Sequence, residues 1–241
     1  MSNAAVAGKR MVFSRPKKVI RLHWFNAVVW FVLTLSGLGI ISGNLSFMPK
    51  AYSEAVQTMA GGQFNLITGH SILGLVWVGV FVLFTLFNWN EVVYPFLKQI
   101  LSITPKAIIA DGTQMIVDIG GLFGLFKSVK LPAAGRYNGA QRLLGTLILF
   151  SGVIIAITGM VMFILFLFTP FFIDGAIFQW SLVAHGFFVG MVYIGLVAHI
   201  YYSVIEEPEV LESMKSGYLE EDYIKHHSPG WYKELQGDGK V

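Results

Sequence analysis

The chain has 241 residues, of which 55% are hydrophobic and 13% charged, with a formal net charge of +3. Soluble domains carry roughly 25% charged residues, so this chain has too little polar surface to face water all round. It contains no cysteine, which excludes structural disulfides, thiolate iron–sulfur ligation and a catalytic thiol within it.

The few charges are bunched. No Asp, Glu, Lys or Arg occurs between Arg21 and Lys50, Glu54 and Glu91, Arg142 and Asp174, or Asp174 and Glu206. Each gap holds the roughly 20 apolar residues that cross a bilayer. The predicted spans are residues 22–42, 66–87, 143–168 and 178–205. The expected fold is all-α, an integral membrane four-helix bundle forming a single domain over residues 1–241. A soluble all-helical protein is the disfavoured alternative.

The N-terminal segment carries Lys9, Arg10, Arg15, Lys17, Lys18 and Arg21. The apolar run that follows is too long for the core of a cleavable signal, so it is expected to remain as a span. Its opening, RLHWFN, places His23 at the start of span one. Span two begins ITGHSILG and brings in His70. The connection at residues 88–142 is too long for a simple loop. Its runs VVYPFLKQILSI and MIVDIGGLFGLF are apolar but short, and Pro95, Pro105, Asp111 and Asp118 interrupt them. Interfacial helices on the membrane surface are expected there. The loop also holds Lys98, Lys106, Lys127, Lys130, Arg136 and Arg142, whereas the other two loops share only Lys50. By the bias of Lys and Arg toward the inner face, both termini and the middle loop are cytoplasmic, and residues 206–241 form a cytoplasmic tail. Basic residues flanking spans account for the sequence pI of about 9.0 and give no reason to invoke a nucleic-acid partner. Trp24, Trp30, Trp89 and Trp180 read as lipid-facing or interfacial aromatics.

Four of the six histidines fall in the spans: His23, His70, His185 and His199. One alone could be a hydrogen-bonding packer between helices. Ionisable groups at membrane depth are costly, however, and usually line a pathway or coordinate something. The predicted topology sorts them into two level pairs, His70 with His185 on the outer side and His23 with His199 on the inner side. Fourteen residues at ~100° each leave His199 about 40° from the azimuth of His185, so span four offers two imidazoles to one interior, about 21 Å apart. Bis-histidine haem fits this pattern best, because neutral imidazole is a good axial iron ligand and a porphyrin is a flat apolar plate suited to a helix-bundle core. The absence of a C-x-x-C-H motif makes such haems non-covalent, b-type. A histidine-lined metal transporter is the competing class, but the spans contain no Asp or Glu to help hold an ion.

Several motifs, RLHWFN (21–26), GH (69–70), RYNGAQR (136–142), AHIYY (198–202) and DYIKHHSPGWYKEL (222–235), run nearly the length of the chain. In combination they resemble the cytochrome b, or gamma, subunit of membrane-bound formate dehydrogenases. The resemblance implies two haems b, held by His70 and His185 and by His23 and His199, the same pairs that depth gives. It also implies a prokaryotic inner-membrane subunit of anaerobic respiration, without a formate-oxidising site of its own. An iron–sulfur (beta) subunit would deliver electrons from a molybdenum or tungsten catalytic (alpha) subunit, and a quinone, menaquinone or ubiquinone, would take them up near the cytoplasmic side. Related diheme cytochromes serve hydrogenases and thiosulfate or polysulfide reductases, so the donor is decided by the partners.

By the same resemblance, Asn138 of the YN-x-x-Q motif, with Gln141 nearby, belongs to the quinone site beside His199. The competing reading is an ordinary helix start, with Asn138 as cap and Gln141 as its box partner. Arg21 and Arg142 either pair with haem propionates or anchor helices among headgroups. His226 and His227 read as solvated, structural residues of the tail. The nearly uncharged outer loops, residues 43–65 and 169–177, are expected to pack against the iron–sulfur subunit.

Overall fold

The computed structural model describes residues 9–41, 48–125, 133–168 and 175–241. Parts of both outer loops, together with Lys127 and Lys130, lie outside the described residues. The fold is all-α, and among the described residues four helices are long and apolar enough to cross a membrane. These are α1 (Lys17–Ile40), α3 (Gln63–Asn88), α6 (Gly139–Phe168) and α7 (Ala176–Tyr201). Each overlaps a predicted span. They are apolar on all sides and leave Phe31, Leu86, Phe150, Ile157, Phe187 and Val197 exposed, as a hydrocarbon solvent requires. Between them come the short α2 (Lys50–Met59), α4 (Tyr94–Ile100) and α5 (Pro105–Leu122), and after them α8 (Pro208–Ser216), α9 (Glu221–His227) and α10 (Pro229–Gly237).

The middle connection is helical, as expected, and its prolines set where its helices begin. Pro95 lacks an N–H and its ring would strike the carbonyl four residues earlier. The chain meets this with a π-helical segment at Trp89–Val93, so that α4 continues from α3 with Pro95 in its first turn. Pro105 opens α5 behind Thr104, whose side chain accepts the Ala107 N–H at 3.2 Å. A second π segment, Tyr202–Glu206, follows α7.

Contacts group the chain into two compact units. The first takes in Met1–Ile20, Asn90–Gly152 and Val189–Val241. Its tail is folded, which its polarity hid. The strands β1 (Met11–Phe13) and β2 (Tyr218–Glu220) pair antiparallel with Val12 opposite Leu219, an element absent from the sequence expectation. The ion pairs Lys9–Glu220 and Arg10–Glu221 flank the ribbon. Val12 and Leu219 pack with Ile224, Trp231 and Leu235 into a small apolar core, in which Ile224 is fully buried. Gly217 ends α8 with φ of +89°, and a Cβ there would lie 2.7 Å from the Arg15 carbonyl, so only glycine closes this corner. Elsewhere in this unit the segment between α4 and α5 is tied to the start of α6. The Ser102 N–H donates to Thr146 Oγ1 at 2.8 Å, and Arg142 binds both the Leu101 carbonyl at 3.2 Å and Asp111 at 3.3 Å. Gly195 of α7 sits against Leu144 and Ile148 of α6.

The second unit takes in Arg21–Trp89 and Val153–Phe188. The final carbonyls of a helix have no intrahelical partner. Here α2 supplies partners for α1, with Ser53 Oγ and Gln57 Nε2 both donating to the Gly39 carbonyl at 2.6 and 3.1 Å. A side chain at Gly39 would collide with Val56 at 2.6 Å. Trp77 of α3 donates its indole N–H to Asn26 of α1 at 2.8 Å and meets Trp30 edge to face. Phe64 of α3 packs on Phe166 of α6.

Candidate functional site

His70 and His185 both belong to the second unit, on α3 and α7, each about two to two and a half turns past the start of its helix. Their surroundings match. Ser36 Oγ of α1 lies 2.8 Å from His70 Nδ1, and Thr158 Oγ1 of α6 lies 3.1 Å from His185 Nδ1. Each hydroxyl also sits within reach of carbonyls of its own helix, Val32 and Leu33 for Ser36 and Ile154 and Ile155 for Thr158. A hydroxyl has one proton to give. With that proton directed to a carbonyl, the oxygen is left to accept Nδ1–H. The network therefore selects the Nδ1-protonated tautomer on both rings and leaves the Nε2 lone pair free to bind a metal.

The next residue in each helix is glycine. A Cβ at Gly37 would stand 3.3 Å from His70 Cε1, and one at Gly159 would stand 3.3 Å from His185 Cε1. Ser36–Gly37 and Thr158–Gly159 are thus the same device used twice, with a hydroxyl to hold the ring and a missing side chain to admit its edge. This donor set fits axial ligation of haem iron by two neutral imidazoles. Among the described residues, no group of three or more His, Cys, Asp or Glu side chains converges as an ion-holding cluster.

The other predicted ligands fall in different units. His23 lies in the second unit and meets Trp24 edge to face at 5.4 Å, and His199 lies on the first-unit part of α7. Arg21 is exposed on α1, while the Arg142 guanidinium is engaged by Asp111 and Leu101.

Asn138 and Gln141 form a reciprocal box at the start of α6. Asn138 Oδ1 accepts the Gln141 N–H at 2.8 Å, and Gln141 Oε1 accepts the Asn138 N–H at 3.1 Å. The helix-start reading of YNGAQ is therefore realised, and the two amide NH2 groups stand outside that exchange. Both residues line a cleft of about 80 Å³ within the first unit, together with Arg15, Arg136, Glu207, Tyr223, His227 and Trp231 among others. Tyr223 donates its hydroxyl to Glu207, and burial, together with that bond, pushes the phenol above its ordinary range. His227 stacks on Tyr223 with ring centres 4.3 Å apart. His226 is exposed.

Sequence reading missed Ser36, Thr158, Arg15, Arg136 and Tyr223. For the first two a signal existed, the hydroxyl–glycine dipeptide repeated in two different spans. No curated protein matches the chain. The family model described as prokaryotic cytochrome b561 matches residues 14–217. The chain thus belongs to the prokaryotic cytochrome b561 family of haem b electron-transfer proteins of the membrane.

Proposed function

We propose that the chain is the diheme cytochrome b subunit of a respiratory formate dehydrogenase complex, with both termini on the cytoplasmic side of the inner membrane. In this reading it takes electrons from an iron–sulfur subunit on the outer side and passes them to a quinone near the inner side. The observation that carries the reading is the matched pair of imidazoles, each oriented by a hydroxyl and a glycine from the neighbouring helix. His70 and His185 hold the outer haem, and His23 and His199 hold the inner one. Haem bound there supplies one-electron redox chemistry at iron. The chain's own part is to fix tautomer and ring angle through Ser36 and Thr158, and to keep water away with apolar spans.

At the inner end, Asn138 and Gln141 keep their amide N–H donors after their oxygens have capped α6. Those donors suit the carbonyl oxygens of a quinone, and both residues line the inner cleft. Drawing the quinone's two protons from the cytoplasm while electrons arrive from outside charges the membrane. The motif resemblance favours formate as the ultimate donor over hydrogen or a sulfur compound.

A pyridine haemochrome assay on the purified chain is expected to give two haems b. A colourless chain holding zinc or copper would instead indicate transport. His199→Ala should lose one haem and quinone reduction, and His70→Ala should lose the other haem and electron input. Retention of both haems in either variant would refute the pairing. In native membranes, haem reduction by formate, by hydrogen or by a sulfur donor sorts the partner. Co-purification of an iron–sulfur subunit crosslinked to residues 43–65 tests the outer docking face.

A further inference from the structure

Reducing a quinone consumes two protons with its two electrons. The amides of Asn138 and Gln141 can hold its oxygens, but an amide does not surrender a proton near neutral pH. The cleft that both amides line also contains Arg15, Arg136, Tyr137, Glu207, Tyr223 and His227. A guanidinium keeps its proton beyond about pH 12 and a phenol to about pH 10. Burial, and with it the bond to Glu207, push the Tyr223 phenol higher still. Carboxyl and imidazole groups are the side chains that exchange protons readily in catalysis, which leaves Glu207 and His227.

Glu207 stands half-buried between the π segment Tyr202–Glu206 and α8, and its carboxylate accepts the Tyr223 hydroxyl. The two guanidiniums of the cleft turn elsewhere, Arg15 to the Ser213 hydroxyl and Arg136 to the Ser14 carbonyl. Among the described residues, neither forms an ion pair with Glu207 within 4.0 Å. The carboxylate is therefore not locked in its charged form. It can accept from Tyr223 at one oxygen while the other carries a proton. His227 is exposed and stacks on Tyr223 with ring centres 4.3 Å apart. Its Nδ1 donates to the Tyr223 carbonyl at 3.1 Å, since a carbonyl only accepts, and Nε2 is left to exchange with water. The cleft, at about 80 Å³, admits a few waters.

We infer that Glu207 hands protons to the quinone held by Asn138 and Gln141, oriented by Tyr223 and reloaded from the cytoplasm past His227. This rests on the quinone reading above. For each quinone, two electrons arrive through haem one at a time, and two protons leave the Glu207 carboxyl in turn. Each transfer breaks an O–H bond at Glu207 and forms one at a quinone oxygen, through the cleft's waters. Solvent at the exposed edge restores the carboxyl proton after each transfer, so quinone becomes quinol and Glu207 ends unchanged.

The test follows haem reoxidation in the purified full chain, reduced with stoichiometric dithionite and mixed by stopped flow with duroquinone. Ferricyanide, which takes an electron without a proton, is the second oxidant. Glu207→Gln keeps the oxygen that accepts from Tyr223 and removes the exchangeable proton. It should slow reoxidation by duroquinone about 100-fold, with haem content, half-saturating duroquinone and the ferricyanide rate unchanged. Glu207→Asp should recover part of the rate. Tyr223→Phe should slow the duroquinone step about 2–10-fold, the worth of one hydrogen bond, and spare the ferricyanide step. An unslowed duroquinone step in Glu207→Gln overturns the proposal, as does equal slowing with both oxidants. A raised half-saturating concentration at an unchanged limiting rate also overturns it, because Glu207 would then only bind. If Glu207→Gln fails to fold, Tyr223→Phe decides, and an unslowed duroquinone step there overturns the proposal. A reduced, unsubstituted chain that ferricyanide oxidises and duroquinone does not refutes the quinone reading and this proposal together. Oxidation by duroquinone that Glu207→Gln leaves intact refutes the proton route alone.

Discussion

The Ser36 hydroxyl lies 2.8 Å from Nδ1 of His70 and also faces the Val32 and Leu33 carbonyls. With its one proton directed to a carbonyl, its oxygen accepts Nδ1–H from the ring. An imidazole that donates Nδ1–H to an acceptor is a more basic ligand at Nε2, and losing such a partner typically costs 10–100-fold in metal affinity. Ser36→Ala should therefore weaken retention of the haem proposed at His70 and His185 by about 10-fold or more. It should also raise that haem's potential, because a weaker donor favours the reduced iron. Thr158→Val, nearly isosteric, should do the same through His185. Haem-transfer kinetics to apomyoglobin and a redox titration read the two effects.

Gly37 and Gly159 make a steric prediction that Gly69 controls. Alanine at either of the first two places a methyl group 3.3 Å from a histidine Cε1, so the ring has to give by a few tenths of an ångström. The low-spin EPR signal of the haem proposed at His70 and His185, sensitive to imidazole orientation, should shift in Gly37→Ala and Gly159→Ala. Gly69 adjoins His70 in sequence, yet a Cβ there meets nothing within 4 Å. Gly69→Ala should leave the spectrum unchanged and, since glycine disfavours a helix interior by about 0.5–1 kcal/mol, be neutral or slightly stabilising.

These contacts mark the boundary of what the sequence makes legible. Uncharged runs and the depths of four histidines are written along the chain, because a bilayer imposes length and polarity locally. Asn138 and Gln141 could be read as a cap for the same reason, both partners lying within one turn. By contrast, Ser36 reaches His70 across 34 positions and Thr158 reaches His185 across 27, so only the packed helices show the pairing. The tail was harder still. Val12 meets Leu219 in a two-stranded ribbon whose strands are three residues each, too short for a periodic signal. Its core residues, Ile224 and Trp231, sit among charges that read as a solvated segment.

Asp111 is nearly buried, at 8% side-chain exposure, and holds Arg142, which is 29% exposed. Removing one partner of a fully buried pair costs about 3–5 kcal/mol, and the partial exposure of Arg142 reduces this. Asp111→Asn should therefore destabilise the chain by about 2 kcal/mol, seen as a lower thermal midpoint in detergent, with the haem spectrum intact. The paired replacement Asp111→Leu with Arg142→Met should recover most of the loss, because it leaves no buried charge without a partner. If Arg142 were instead held by a haem propionate, Arg142→Met would move a potential while Asp111→Asn would not.

The capping box at α6 gives a way to separate a structural role from quinone binding in the same two residues. Asn138→Asp and Gln141→Glu keep the oxygens that accept the Gln141 and Asn138 N–H groups, so the box persists, and a carboxylate at a helix start is favoured. Each change deletes an amide N–H donor. Stability should stay within about 0.5 kcal/mol of the original chain, whereas a lost hydrogen bond to a quinone carbonyl, worth about 0.5–1.5 kcal/mol, should raise KM for quinone roughly 2–10-fold. Asn138→Ala loses cap and donor together and should add about 1 kcal/mol of destabilisation. Full quinone reduction by both acidic variants would leave Asn138 and Gln141 as a helix cap alone. A raised KM with an unchanged thermal midpoint would place their amides on the substrate, since a structural fault would have moved both quantities.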